Sequence, residues 1–210
     1  MRGPVALILS ALGLIAFMVW FVSFATDRWG LRGYGLVMAV YWLGFCLPLG
    51  LWFTGARGGG RGLWHLRRSG ADWVPWAALG PVALVLALML LDPPAGVTLT
   101  VVALAVTLGA LNGTVEELYW RGAWLSVAGD DLRLFALGWV LFTAWHLPLL
   151  LAVGVTQPGG AAPLVGGAAV LGLVWAALAW HTRGIGWSVL SHAGLNMVVF
   201  HAVLAANLLG

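Results

Sequence analysis

The sequence predicts an all-α fold, a polytopic transmembrane helical bundle of about seven membrane spans (six to eight), and three observations carry that prediction. Of 210 residues, 62% are hydrophobic. Only 10 basic plus 7 acidic residues are charged, far below the roughly 25% of an ordinary soluble domain. These charges and the turn residues fall in short breaks between apolar runs of about 20 residues, the length that crosses the hydrocarbon core of a bilayer. Hydrocarbon offers no partner to an unpaired backbone group, so each run has to be helical. The apolar content excludes disorder. A net charge of +3 without a long basic stripe argues against nucleic acid as a partner.

Each span has its own boundaries. Span one covers about 4–25 and reads as a retained first span, because its uncharged stretch from Gly3 to Thr26 exceeds the ~7–15 residues of a leader's apolar core. Span two covers about 34–55. A basic, Gly-rich loop follows, carrying Arg57, Gly58-Gly59-Gly60, Arg61, His65, Arg67, Arg68 and Asp72. It is not a phosphate loop, since no strand precedes it and no Gly-Lys-Ser/Thr closes it. Span three, about 73–91, stops at Asp92-Pro93-Pro94, a turn no helix crosses. Span four starts near Gly96 and runs into Glu116-Glu117, with a short segment, 122–128, after Arg121. Spans five, six and seven cover about 134–153, 164–182 and 187–208, separated by a Gly/Pro loop at 154–163 and by Arg183-Gly184-Ile185-Gly186.

Alternating sides at each span puts Arg2, Arg57, Arg61, Arg67, Arg68, Arg121, Arg133 and Arg183 on one side and Arg28 and Arg32 on the other. The positive-inside rule makes the first side, with the N-terminus, cytoplasmic. Trp64, Trp73, Trp76, Trp120, Trp124, Trp180 and Trp187 fall near that boundary as an aromatic belt. The Arg-only basic set points to a bacterial inner (cell) membrane. The chain reads as a single membrane-embedded domain, with 1–95 as N-terminal accessory spans and 96–210 as the helical core that carries the polar positions. Cys46, the sole cysteine, has no partner and reads as a small buried hydrophobe.

An ionisable residue inside a span is costly and is by default a functional hypothesis. The only two glutamates, Glu116 and Glu117, are adjacent at the end of span four. Glu117 and Arg121, four apart, share a helix face in the order that favours an ion pair. Glu116, about 100° around the helix, has no such partner, which suits it to act as a general base. Phe142 and His146 share a face of span five, and Pro148 just beyond reads as a kink that loosens local backbone pairing within that span. Ser188, His192 and Asn196 form a polar stripe on span seven that must face protein or water. His65 and His181 read as interfacial residues, and His201 lies about 180° from the stripe. The plainer alternatives are a solvated helix end for the glutamates and structural hydrogen bonding for the two histidines; the coincidence of all three groups argues against them.

Glu-Glu-x-x-x-Arg at 116–121, Phe-x-x-x-His at 142–146 and His-x-x-x-Asn at 192–196, in that order on separate helices, resemble the three motifs of the CPBP intramembrane proteases. This is the family of type II CAAX prenyl endopeptidases and bacterial abortive-infection-like proteins. The stretch Gly186-Trp187-Ser188-Val189-Leu190-Ser191 also resembles the family's approach to its last histidine. The likeness covers about 112–200; residues 1–95 match only as generic spans. It implies an intramembrane endopeptidase that hydrolyses a peptide bond with a Glu/His-activated water, its site nearer the cytoplasmic side. Glu116 would be the general base, His146 would hold and polarise the water, and His192 with Asn196 would hydrogen-bond the oxyanion. Glu117, Arg121 and Phe142 would support them. The cofactor is either none or one divalent metal such as zinc, held if present by Glu116, His146 and His192; the absence of a His-Glu-x-x-His helix leaves both open. The implied partners are a peptide or membrane-protein substrate and the lipid bilayer. Alternatives are a non-catalytic membrane scaffold or immunity factor of the same fold and a proton-coupled transporter, the latter disfavoured by the lack of an internal repeat.

Overall fold

The structure, a computed structural model, describes residues 3–55, 60–67, 70–91 and 98–208. Arg2, Arg57, Gly58, Gly59, Arg68, the Asp92-Pro93-Pro94 turn and the start of span four at Gly96 lie outside these, as does the side chain of Arg61. Among the described residues all regular structure is helical. Six stretches are long and apolar enough to cross a membrane, and the protein is an integral membrane protein.

The first of the six, Pro4–Gly55, is 52 residues long. It comprises α1 (Pro4–Ala39), a π-turn at Val40–Cys46 and α2 (Leu47–Gly55). Its backbone reverses at Gly30, where φ is 52° and ψ −130°, a conformation open essentially to glycine alone. The ring centroids of Phe17 and Phe45 are 5.6 Å apart, whereas 28 residues of straight helix would separate them by ~42 Å. The stretch is therefore a helical hairpin that crosses twice, and the bundle has seven crossings among the described residues. The break falls in the gap expected between spans one and two.

The remaining helices follow the hydropathy pattern closely. They are α3 (Trp73–Leu91), α4 (Leu99–Glu117), α5 (Trp124–Ala128), α6 (Leu132–Trp145), α7 (Gly167–Thr182) and α8 (Gly186–Leu208). Thr98 caps α4 by accepting from Val101 N, and Asp131 caps α6 by accepting from Arg133 N and Leu134 N. A π-turn at Leu118–Ala123 joins α4 to α5 without a loop, giving one 30-residue helical stretch. Pro148 does more than kink the span: α6 ends at Trp145 and a single 3₁₀ turn, Pro148–Leu151, follows, because proline removes a backbone donor.

Contacts sort the connections into two ends. At one end the Ile185 N–H donates to Leu63 O at 2.7 Å, the Trp187 indole to Arg67 O at 3.2 Å, and Arg183 to Gly129 O at 2.8 Å. At the other, the Val153 N–H donates to the Thr26 hydroxyl at 2.9 Å, and Asn207 exchanges two bonds of 2.9 Å with the backbone of Thr156. The first end holds the loops with most of the arginines.

The core is tightest between α4 and α8. A Cβ on Gly109 would meet Met197 N at 2.4 Å, and one on Gly113 would meet Ala193 N at 2.4 Å. This Gly-x-x-x-Gly face lets two backbones approach as membrane helices do when lipid supplies no hydrophobic drive between them. It also brings Glu116 and Glu117 against the helix that carries His192. Two sequence expectations need correction here. Trp120 and Trp124 are buried in the bundle and do not join an interfacial belt, because Trp120 spends its indole N–H on the Tyr41 hydroxyl at 2.8 Å. Arg121 is buried as well, held by an internal ion pair, so it drops out of the orientation count and leaves seven arginines against two.

Candidate functional site

Glu116, Glu117, Arg121 and His192 are each at most 2% exposed and form one contiguous cluster. The Glu117–Arg121 pair forms as its spacing predicts, with Oε1 and Nη1 3.0 Å apart. The same Glu117 Oε1 lies 2.8 Å from Nδ1 of His192. A carboxylate oxygen can only accept, so Nδ1 carries the proton, and the tautomer and tilt of the imidazole are set from α4. The other ring nitrogen, Nε2, is 3.3 Å from Oε2 of Glu116. His192 therefore stands between the two glutamates, a relation across 75 residues that no local spacing contains. The Ser188 hydroxyl, one turn earlier on α8, donates to Ile185 O at 3.0 Å.

Arg121 is fixed on every side. Its Nη2 donates to Gly172 O at 3.0 Å, and its guanidinium lies 4.0 Å from the Phe142 ring centroid. A Cβ on residue 172 would meet the Phe142 ring at 2.8 Å, so glycine there admits both the ring and the guanidinium. Phe142 in turn meets the rings of His146 and His192 edge-on, at 4.9 and 6.0 Å. Trp175 stacks face to face on His192, with centroids 3.7 Å apart and planes 14° from parallel. Its own indole N–H donates to the Ser191 hydroxyl at 3.0 Å. Buried charge survives in such a place only when paired, and the Glu117–Arg121 ion pair supplies the pairing, although Glu116 Oε2, Glu117 Oε2 and Arg121 Nη1 have no hydrogen-bond partner among the described residues.

A cavity of about 130 Å³ adjoins the cluster. Glu116, Phe142, His146, His192 and Asn196 all line it, so every motif contributes to one wall or another. His146 donates from Nδ1 to Phe142 O at 2.9 Å, which leaves Nε2 of the neutral ring as an acceptor. Oε2 of Glu116 is buried without a hydrogen-bond partner among the described residues. A buried acceptor beside a polar cavity is where ordered water is found, and the cavity has room for about four waters at ~30 Å³ each.

Two residues here escaped sequence reasoning. Tyr41, on the π-turn after α1, is fully buried, stacks on Trp145 with centroids 3.7 Å apart, and makes a side-chain hydrogen bond with Glu116. Because Trp120 already donates to its oxygen, the Tyr41 hydroxyl hydrogen is free for the carboxylate. Trp175 is the second. Both sit inside apolar runs, where an aromatic carries no sign that its polar tip or face is in use.

Nδ1 of His146 bonds a backbone carbonyl and Nδ1 of His192 bonds Glu117, the kind of contact that orients a metal-ligating imidazole, so Nε2 of each ring, with Glu116, would be the donors to a divalent metal. Among the described residues no three His, Cys, Asp or Glu side chains are gathered as a metal site.

The model of the family described as type II CAAX prenyl endopeptidase Rce1-like matches residues 97–198. This span holds all three motifs. No curated protein and no solved structure matches the chain.

Proposed function

We propose that this membrane protein, whose residues 97–198 match the type II CAAX prenyl endopeptidase Rce1-like family, is an intramembrane endopeptidase whose nucleophile is a water activated by Glu116. The observation that carries the reading is the unpartnered Oε2 of Glu116, set beside Nε2 of His192 on the wall of a cavity that His146 and Asn196 share. Water enters between Glu116 and His146. Glu116 takes one water proton as the oxygen attacks the peptide carbonyl, and Nε2 of His146 accepts a hydrogen bond from the same water. The carbonyl becomes a tetrahedral oxyanion, toward which the Asn196 amide donates, joined by Nε2 of His192 when the ring is an imidazolium with a proton on each nitrogen. Glu116 returns its proton to the departing amine as the C–N bond breaks. Glu117 and Arg121 position His192, and Phe142 keeps the guanidinium and both imidazoles in register. Residues 96–210 form the catalytic core in this reading, while Tyr41 makes the N-terminal spans more than accessory.

General-base assistance contributes about 10²–10⁴ in rate, and one oxyanion donor about 10²–10³. The direct test is peptide-bond cleavage by the purified protein in detergent. Glu116→Gln and His146→Ala should fold with an unchanged melting temperature and lose activity by those factors. A folded variant that cleaves at the wild-type rate overturns the reading.

A further inference from the structure

The cavity has a direction. Its deep wall is the buried trio Glu116, Trp175 and His192, whereas Tyr34, Gln157 and Pro163 line its far end. Tyr34 lies four residues past the Gly30 reversal, and Gln157 and Pro163 belong to the connection between α6 and α7. Both features are at the end where Thr26 meets Val153 and Asn207 clasps Thr156. Exposure rises along the same path, from residues at most 3% exposed at the deep wall to an exposed Pro163.

The opposite end is shut. Gly184 and Gly186 pack against His65, Ile185 is fully buried beneath the 60–67 loop, and Trp187 donates to Arg67 O. Among the described residues, none from 60–67, 129–133 or 183–187 lines the cavity. That sealed end is the arginine-rich one. Among the described residues it carries Arg61, Arg67, Arg133 and Arg183 against Arg28 and Arg32 at the open end, a bias the positive-inside rule reads as cytoplasmic.

We propose that the site is entered from the extracytoplasmic half of the membrane, through the mouth at Tyr34 and Gln157. The substrate class is then an extended segment of an exported or membrane protein, not the lipidated carboxyl terminus of a cytoplasmic protein. The word substrate rests on the endopeptidase reading; the direction of access does not. At about 130 Å³ the cavity is smaller than the ~300–1,000 Å³ of a small-molecule pocket, a size suited to water and one peptide unit.

Thiol accessibility tests access independently of cleavage. In a Cys46→Ser background, single cysteines are placed at the mouth (Leu164→Cys), in the cavity (Asn196→Cys), on the 152–161 connection (Ala161→Cys) and on the opposite loop (Arg67→Cys). A charged, membrane-impermeant maleimide is then applied to intact cells and to inverted membrane vesicles. The expected result is that Leu164→Cys, Asn196→Cys and Ala161→Cys react at least tenfold faster in intact cells, and Arg67→Cys at least tenfold faster in inverted vesicles. Reaction of Leu164→Cys and Asn196→Cys from the same side as Arg67→Cys overturns the proposal, as does their failure to react from either side or labelling of Ala161→Cys only in inverted vesicles. An inactive wild-type enzyme would count against the endopeptidase reading and leave the labelling pattern intact.

Discussion

Oε1 of Glu117 lies 2.8 Å from Nδ1 of His192 while holding Arg121 at 3.0 Å, so one carboxylate oxygen on α4 orients the imidazole of α8 and neutralises a buried guanidinium. Adjacent glutamates thus serve opposite ends of one ring: Glu117 grips Nδ1, and Glu116 faces Nε2 across 3.3 Å.

Removing one partner of a buried ion pair leaves an uncompensated charge, at a cost of about 3–5 kcal/mol. Arg121→Met also forfeits the bond to Gly172 O and the contact with Phe142. It should lower stability by about that amount, and Arg121→Met combined with Glu117→Gln should recover part of the loss, because the neutral amide no longer needs a cation. Thermal unfolding of the single and double variants in one detergent measures the coupling; strictly additive losses contradict it.

Tyr41→Phe deletes the hydroxyl that Glu116 shares and leaves the Trp120 indole N–H without its acceptor. If Tyr41 positions the base, kcat should fall about tenfold, equivalent to ~1.4 kcal/mol in the barrier, with KM unchanged. A structural role alone lowers the melting temperature and leaves kcat per folded molecule at the wild-type value. Steady-state kinetics on protein of verified folded fraction separates the two.

Gly113→Val places side-chain atoms where Ala193 N would be only 2.4 Å from the new Cβ. Overpacking of this kind costs about 1–3 kcal/mol. Any parting of α4 from α8 also carries Glu116 away from His192, and a misplacement near 1 Å costs roughly 10²-fold in rate. Ala103→Val, on an exposed face of the same helix, should change neither. Melting temperature and cleavage rate, measured together, check both halves.

Hydropathy and charge placement made the spans legible, since lipid imposes a length and a backbone-pairing rule on each one: α3 runs over 73–91 as read, and α7 and α8 begin within three residues of expectation. Pro148 signalled a disturbance, though as a kink within a span to about 153 and not as the helix end seen at Trp145, and the Glu117–Arg121 pair followed from i,i+4 geometry. What stayed hidden depends on how helices are rotated against one another. Nothing local to 116 or 192 says that Glu116 meets His192 Nε2, or that Glu117 reaches past Arg121 to Nδ1. Gly109 and Gly113 were a readable signal of the close α4–α8 crossing that makes both contacts possible. Trp120 and Trp124 read as belt residues because a tryptophan near a predicted boundary has the same letter whether it faces lipid or protein. Tyr41 is the costliest omission, an aromatic in an apolar run whose single hydroxyl turns out to face the base.

The central claim is that Glu116 activates water for peptide-bond cleavage in the membrane. A comparison of membranes from cells expressing the wild type and Glu116→Gln, analysed by mass spectrometry for new protein carboxyl termini and repeated with a chelator, tests it most directly. The account predicts a set of termini present with the wild type, absent with Glu116→Gln, and unaltered by the chelator, since in this reading Glu116 alone takes the water proton. The same termini at undiminished level in the Glu116→Gln membranes would contradict it.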